Sequence, residues 1–376
     1  MDALITDAHL RYAVTGLRAL AAGRLDVVAL GKSRGAAGLW SRYAAAREVG
    51  PDSVDAPAAF RAKVGEIARR RGPLVVYPCE ELSIDALLPD RAALPAEALL
   101  PYSGEAALRR LRDKRRLAAL ADDVGLGAPA TLAAGTAAEL RDAGLPDQCV
   151  LKPVGSRGQL ISARVVSSRA ELFSLLDVLP EEEPLLVQEY VPGPLGALAL
   201  VVDRDGRLVA RFQQTALRTW PTEAGTSSLA RSVELDDDLV SRASALLAGA
   251  GYWGLAQLQF LQGRRRPMLI DVNPRFYGSL SLALAAGVNL PAAWHAVAIG
   301  AEQPRPGPYR IGVTYRWLDA DITAAYNGAA KVLLSRAPRP RVGAMWAPDD
   351  PVPSAILAGD AARQRIGRRL PLGRRS

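Results

Sequence analysis

At 376 residues, with 49% hydrophobic and 23% charged side chains, the chain is expected to fold into two or three packed units rather than a disordered or fibrous body. Six arginines (Arg363, Arg365, Arg368, Arg369, Arg374, Arg375) and no acid follow Asp360, leaving +2 of the net charge of +8 for the rest, so the excess reads as a solvated tail and not a nucleic-acid module. Two cysteines (Cys79, Cys149) exclude a disulfide framework, two histidines (His9, His295) argue against a His-rich zinc site, and the absence of a basic-then-apolar leader or a run of ~18 apolar residues reads as cytoplasmic.

The first part of the chain alternates short apolar runs with helix-like stretches: ALIT at 3–6, an amphipathic segment to Ala22, VVAL at 27–30, a helix over 60–70, and LVVY at 74–77. That is the βαβ rhythm of a parallel sheet. A Pro-rich passage from Pro89 to Pro101 breaks it, and a single charged helix, LRRLRDKRRLAALADDVG, follows until Gly125 and Gly127 stop it. Next come the strand CVLKPV at 149–154, a Gly-containing loop, the strand ISARVV at 161–166 and a helix ending near Pro180. A second set begins with LLVQEYV at 185–191 and continues with ALALVVD at 197–203, LVARFQQ at 208–214, a helix over 236–250, and the pair LAQLQFL and PMLIDVN. Beyond about residue 302 the one clear patch is VTYRWLDADI. Two adjacent α+β units with a crevice between them are expected behind the parallel sheet.

Two familiar motifs are set aside. GKSRG at 31–35 matches a nucleophile-elbow spacing, but the only histidine downstream is His295, in an apolar stretch. A Walker loop would need glycine where Asp26 stands.

The densest chemistry lies in LAQLQFLQGRRRPMLIDVNPRFYGSL, 255–280. Read as a hairpin, it brings Gln259 towards Asp271 and Asn273, which share a parity and so one face. One carboxylate and two amide oxygens suit a hard cation such as Mg²⁺, and equally form the polar rim of an ordinary hairpin. Arg275, just after Pro274, is placed to hold a phosphoryl group or to be a surface arginine. Lys152 ends a strand before Gly155, Ser156, Arg157 and Gly158, a loop whose amides could cover phosphates. Lys114 is one basic residue among several. Gln188 and Glu189 end an apolar strand whose edge could meet an adenine ring, or simply exit the sheet.

Taken in order, DKRRLAALADDVGL, VLKPVGSRG, LLVQEYVPG, LQF and IDVNPRFYGSL resemble the successive signatures of the ATP-grasp superfamily, most like its carbamoyl-phosphate-synthase-type module, over about residues 105–302. LRTWPTEAGTSS and NPRFYGSLSLALAAGVNLP add a resemblance to predicted ATP-dependent carboligases. The resemblance implies an α/β and α+β fold: a Rossmann-like pre-ATP-grasp domain (1–105), small (106–184) and large (185–302) ATP-grasp subdomains, and a C-terminal extension with the basic tail (303–376). It implies that Lys114, Lys152, Gly155, Ser156 and Gly158 contact ATP phosphates, and that Gln188 and Glu189, with the backbone of Tyr190 and Val191, hold adenine. Gln259, Asp271 and Asn273 would bind Mg²⁺ or Mn²⁺, Arg275 would stabilise an acyl phosphate, and Arg218 would contact substrate. The implied activity is a carboxylate–amine ligase that forms an amide with ADP and phosphate. The alternatives are a small-molecule kinase and a non-catalytic nucleotide-binding regulator. Small carboxylates and amines are the implied partners, with no nucleic acid and room for a homodimer. Two departures stand out: Gln259 replaces the usual acid, as the carbamoyl-phosphate-synthase type also does, and Gly193 is followed by Pro194, Leu195 and Gly196 where a ribose-binding acid is usual.

Overall fold

A computed structural model describes residues 1–154, 163–182, 184–221, 225–262, 266–302, 306–334 and 338–367. The N-terminal apolar runs form a five-stranded parallel sheet from Asp2–Ile5 (β1), Val27–Gly31 (β2), Ala46–Val49 (β3), Leu74–Tyr77 (β4) and Ala98–Leu99 (β5), in the order β3-β2-β1-β4-β5. β1, β2 and β4 lack polar alternation because helices cover both faces, and their side chains are almost wholly buried. The crossovers include the helices Arg11–Ala22 (α1) and Pro57–Arg71 (α2), and Glu81–Leu87 (α3) follows β4. The chain leaves β1 for β2 on one side and returns to β4 on the other. The carboxyl ends of β1 and β4 therefore flank a switch point, where open α/β sheets place their ligands.

The charged stretch, expected as one helix, is two: Glu105–Arg112 (α4) and Lys114–Asp123 (α5). Asp113 takes extended dihedrals between them, and its carboxylate caps α5 by accepting from Arg115 N at 3.0 Å. An Asp that can satisfy an orphan N–H starts a new helix more readily than it continues an old one.

Four antiparallel strands make the second sheet: Thr131–Gly135 (β6), Cys149–Pro153 (β7), Arg164–Val166 (β8) and Leu185–Glu189 (β9), in the order β6-β9-β7-β8. The strand at 185, expected to open the second set, pairs instead with β6 and β7 and completes the smaller sheet. The third sheet contains Leu195–Val202 (β10), Leu208–Trp220 (β11), Thr226–Ser232 (β12), Gly254–Gln262 (β13), Pro267–Asn273 (β14), Thr314–Arg316 (β15) and Arg341–Gly343 (β16). β11 runs six residues past the expected 208–214, with register shifts against β12 near Arg218. The patch at VTYRWLDADI becomes β15, paired to β12, and the start of the helix Leu318–Tyr326.

Contrary to what the composition suggests, the C-terminal arginines do not all belong to a solvated tail. Residues Pro351–Gly367 are helical, and Arg365 pairs with the Asp319 carboxylate and donates to Thr323 Oγ1 at 3.2 Å, so part of the arginine run is docked. Residues 368–376, with four of the six arginines, lie outside the described residues. Just before this helix, Asp350 accepts from Arg18 Nε at 2.8 Å, Ser41 Oγ at 2.7 Å and Arg42 N at 2.9 Å, which ties the C-terminal segment to the N-terminal sheet.

An aromatic knot joins the first and third sheets. Tyr77 at the end of β4 stacks on Phe276 at 5.4 Å, and Trp294 meets Tyr77, Tyr102 and Phe276 edge-on at 5.0, 5.4 and 5.5 Å. Gly16 on α1 makes room, since a Cβ there would lie 2.5 Å from the Phe276 ring. His295 belongs to this packing: it is 2% exposed, its Nδ1 is 3.1 Å from the Tyr77 hydroxyl and its Nε2 2.9 Å from the Met1 carbonyl. That removes the hydrolase reading of GKSRG. Both cysteines are buried free thiols, as their apolar surroundings imply.

Candidate active site

The hairpin of β13 and β14 puts Gln259 directly opposite Asp271 and Gln257 opposite Asn273. Period-2 alternation then turns all four side chains to one face. Asn273 Nδ2 lies 3.4 Å from both Gln257 Oε1 and Asp271 Oδ2. Gln257, two residues before Gln259, was missed in the sequence, although the same parity argument reaches it.

Lys114 opens α5 because Asp113 ends the preceding helix, and from there its Nζ comes within 3.8 Å of Asp271 Oδ1. Lys152, on β7, is 6% exposed. Burial pushes its pKa down to about 7, repulsion from Lys114 adds to this, and Asp271 opposes it. One ammonium and a second amine that titrates at about 7, beside one carboxylate, form a site that gains positive charge when an anion enters.

A cleft of about 720 Å³ separates the second and third sheets, and the expected residues converge on it. Lys152 on β7 and Gln188 and Glu189 on β9, followed by Tyr190 and Val191, line it from the second sheet. Gln259, Asp271 and Asn273 line it from the third, and Lys114 and Arg275 complete the lining. Gln188 is buried, with Nε2 at 3.5 Å from the Pro129 carbonyl. Glu189 N donates to the Ala130 carbonyl at 2.9 Å and Glu189 Oε1 accepts from Ala130 N at 3.0 Å, so one carboxylate oxygen holds the wall in place. Arg218 also lines the cleft, but its Nη2 is 2.6 Å from Asp321 Oδ1 and its Nε 3.1 Å from Ser228 Oγ. Asp321 is fully buried and shared with Arg316 at 2.7 Å, so the charge of Arg218 is largely committed inside the fold. Gly155, Ser156 and Gly158 lie outside the described residues.

Arg275 sits where three elements meet. Its Nη2 is 3.4 Å from Glu81 Oε1 on α3, its Nη1 donates to the Phe276 carbonyl at 3.0 Å, and its guanidinium lies 5.5 Å from the Tyr12 ring centre on α1. Nε is buried without a hydrogen-bond partner. Burial works against its charge, but Tyr12, Glu81 and Asp271 outweigh this and keep it cationic. Glu81 itself is 2.5 Å from Arg112 Nε. No sequence signal links residues 81 and 275; only the docking of the parallel sheet on the third sheet does.

On the far side of Arg275 and Glu81 is a second cavity, of about 550 Å³, at the carboxyl ends of β1, β2 and β4. Five carboxylates line it (Asp7, Asp52, Asp55, Glu80, Glu81), against Lys32 and Arg275. Asp7 is fixed by Ser83 Oγ at 2.7 Å and the amides of Cys79 and Glu80 at 3.0 and 3.2 Å, and Lys32 pairs with Asp52 at 2.9 Å. The Glu80 side chain has no ion pair or hydrogen bond among the described residues, and burial together with Asp7 raises its pKa. His9 lines the same cavity with its Nδ1 buried and unpartnered, and burial lowers its pKa.

A hard divalent cation fits the donor set: Asp271 supplies a carboxylate, Gln259 an amide oxygen on the same face, and Asn273 an oxygen after a half-turn of its amide. Among the described residues no group of three His, Cys, Asp or Glu could hold a metal, so such a site has low ligand charge. No single described helix is long and apolar enough to cross a membrane.

Residues 181–320 match the model of the family described as ATP-grasp in the biosynthetic pathway with Ter operon. No curated protein matches the chain in sequence. Among solved structures, the chain is similar to biotin carboxylase from Campylobacter jejuni in a β-γ-ATP complex (TM-score 0.64, 13% identity, 83% of this chain and 74% of that one). It is similar to the biotin carboxylase domain dimer of Hydrogenobacter thermophilus 2-oxoglutarate carboxylase, solved with MgADP and bicarbonate (0.63, 13%, 83% and 73%). It is also similar to L-amino acid ligase from Bacillus licheniformis (0.59, 15%, 81% and 75%). At such identities the likeness is one of fold. Three sheets in this arrangement, with the matched segment running from the β9 strand of the second sheet through most of the third, give the chain an ATP-grasp fold.

Proposed function

We propose that the chain is an ATP-dependent ligase that activates a small carboxylate as an acyl phosphate and passes the acyl group to an amine. The observation that carries this reading is the position of Arg275, whose side chain forms part of the wall of both the cleft and the acidic cavity behind it. A group held against that guanidinium from the cleft is within reach of a nucleophile entering from the acidic side.

Lys114 and Lys152 neutralise the nucleotide phosphates, while Glu189, Tyr190 and Val191 offer the wall for adenine, Glu189 through its second oxygen. Gln259, Asp271 and Asn273 would hold Mg²⁺, which supplies charge neutralisation at the phosphates when bound. A carboxylate oxygen of the substrate attacks the γ-phosphorus in line; the new O–P bond forms as the bond to the β–γ bridging oxygen breaks, and ADP leaves. The amine nitrogen then attacks the acyl carbon, a C–N bond forms, the C–O bond to phosphate breaks, and phosphate departs. Arg275 holds the charge that gathers on the acyl oxygens and the leaving phosphate. The amine proton passes to Glu80, whose raised pKa suits it to receive one. None of these steps needs a covalent nucleophile from the protein.

The test is phosphate release measured over pairs of carboxylates and amines, with mass detection of the product. An amide mass that appears only with both partners supports the ligase. A phosphorylated product that survives without amine, or nucleotide binding with no turnover for any pair, overturns it.

A further inference from the structure

A third cavity, of about 160 Å³, opens beside Gln259, Asn273 and Arg275 and runs back to Arg11, Tyr277 and Ser279. We propose that this cavity is the subsite for the carboxylate substrate, and that Arg11 and Tyr277 are its anchors. The assignment rests on the ligase reading and names which acids that ligase accepts: compact ones.

Tyr277 is the first observation. It is 2% exposed, and its hydroxyl is buried with no hydrogen-bond partner. An orphaned buried hydroxyl costs about 1–3 kcal/mol, and groups of this kind in folded proteins are ordinarily completed by a partner. Burial also raises its pKa, so it stays neutral and able to donate.

Arg11 is the second. Its Nη1 donates to the Gly278 carbonyl at 2.6 Å and the Tyr315 hydroxyl at 2.9 Å, and its guanidinium stacks 3.9 Å from the Trp317 ring centre. These contacts fix the group while leaving Nε and Nη2 without a hydrogen-bond partner among the described residues. Gly278 admits this approach, because a Cβ there would lie 2.5 Å from Arg11 Nη2.

Charge is the third. The residues lining this cavity include the cations Arg11 and Arg275 and no acid, whereas five acids line the cavity on the other side of Tyr12, which borders both. Two cations and a free hydroxyl donor recognise a carboxylate and repel an ammonium. The volume is near the ~150 Å³ of a cavity that takes one benzene-sized molecule, which sets the upper size of the acid. Because Arg275 lines all three cavities, an acid seated here presents its carboxylate to the nucleotide cleft on one side and to the acidic cavity on the other.

The experiment uses the full chain with Mg²⁺ and a non-hydrolysable ATP analogue, and measures binding of acetate, L-alanine, benzoate and, as a bulky control, a naphthoate. Ethylammonium and inorganic phosphate serve as competitors. The informative variant is Tyr277→Phe, which removes only an unpaired hydroxyl and should not lower the melting temperature; Arg11→Gln is the second. The expected result is binding of at least one compact carboxylate, weakened about tenfold or more by Tyr277→Phe, the scale of one hydrogen bond to a charged group, with nucleotide affinity unchanged. Naphthoate and ethylammonium should not bind, and phosphate should not displace the acid. Carboxylate binding that is equal in wild type and both variants, or no binding by any compact acid, overturns the subsite. With ATP in place of the analogue, ADP formation stimulated by carboxylates yet indifferent to Tyr277→Phe would leave the ligase standing and this subsite lost. Binding that depends on Tyr277 without ADP formation would do the reverse.

Discussion

Glu81 Oε1 and Arg275 Nη2 lie 3.4 Å apart, joining the helix after β4 of the first sheet to the loop after β14 of the third. The side chains are 7% and 17% exposed, and Glu81 also meets Arg112 at 2.5 Å and so balances two guanidinium groups in a dry place. Glu81→Gln removes the charge and keeps the shape. Arg112 keeps Asp85 at 2.7 Å, but Arg275 loses its carboxylate partner in a dry place, which should cost up to about 3–5 kcal/mol of stability, the usual scale for breaking one partner from a buried pair. Turnover should fall while nucleotide affinity holds, because Arg275 loses its orientation and the phosphate-binding lysines do not. Denaturant melts and single-turnover assays check both parts; unchanged stability would mean that the contact carries little.

Arg275 itself gives the sharper test. Its contribution is expected in the transition state, where charge is redistributed, and not in ground-state binding of nucleotide. Arg275→Ala should lower kcat by on the order of 10²–10³-fold, as removal of one preorganised charge donor does, with little change in nucleotide affinity. Arg275→Lys should recover only part, since an ammonium lacks the planar fork. A folded Ala variant that turns over at the wild-type rate would refute the role.

At the hairpin, Asp271 is the sole acid of the proposed metal triad and faces Gln259 across β13 and β14. Asp271→Ala should abolish most Mg²⁺-dependent turnover with the fold retained. Gln259→Glu adds a second carboxylate and should keep activity while shifting the preference between Mg²⁺ and Mn²⁺. Titrations of metal against turnover read both, and metal dependence untouched by Asp271→Ala would place the cation elsewhere.

The hairpin was legible because strand parity is a local rule: knowing that 255–262 and 267–273 pair is enough to put Gln259, Asp271 and Asn273 on one face. The βαβ rhythm was legible for the same reason, since buried parallel strands read as continuous apolar runs. What stayed hidden depends on long-range packing. Glu81, Arg11 and Tyr12 reach the site through the docking of the first sheet on the third, where Tyr77, Phe276 and Trp294 pack and Arg11 bonds the Gly278 carbonyl, and nothing in the residues around them announces it. The pairing of β9 with β7 escaped because an apolar strand fits either neighbouring sheet by composition. Lys114 looked like one basic residue among several until Asp113 broke the helix and aimed it at Asp271.

Lys152 should take up a proton when nucleotide binds. Its pKa is pushed down to about 7, chiefly by burial, with Lys114 adding and Asp271 resisting. In the unfolded chain the same amine titrates near 10.4. Between those values the unfolded state binds more protons than the folded one, so the stability of the free protein should rise with pH from about 7 towards about 10, and this group contributes no slope below about 7. Nucleotide reverses the local balance. Phosphate charge beside the amine favours the ammonium, so binding should raise the pKa of Lys152 and draw a proton from solvent at about pH 8. Calorimetry of Mg²⁺-nucleotide binding in buffers of different ionisation enthalpy measures that uptake directly. Lys152→Met, a neutral side chain of similar length, should remove most of the uptake and weaken nucleotide binding, because the phosphates lose a cation. Proton uptake that is zero in the wild type, or identical in the Met variant, would show that Lys152 is already charged or does not meet the phosphates.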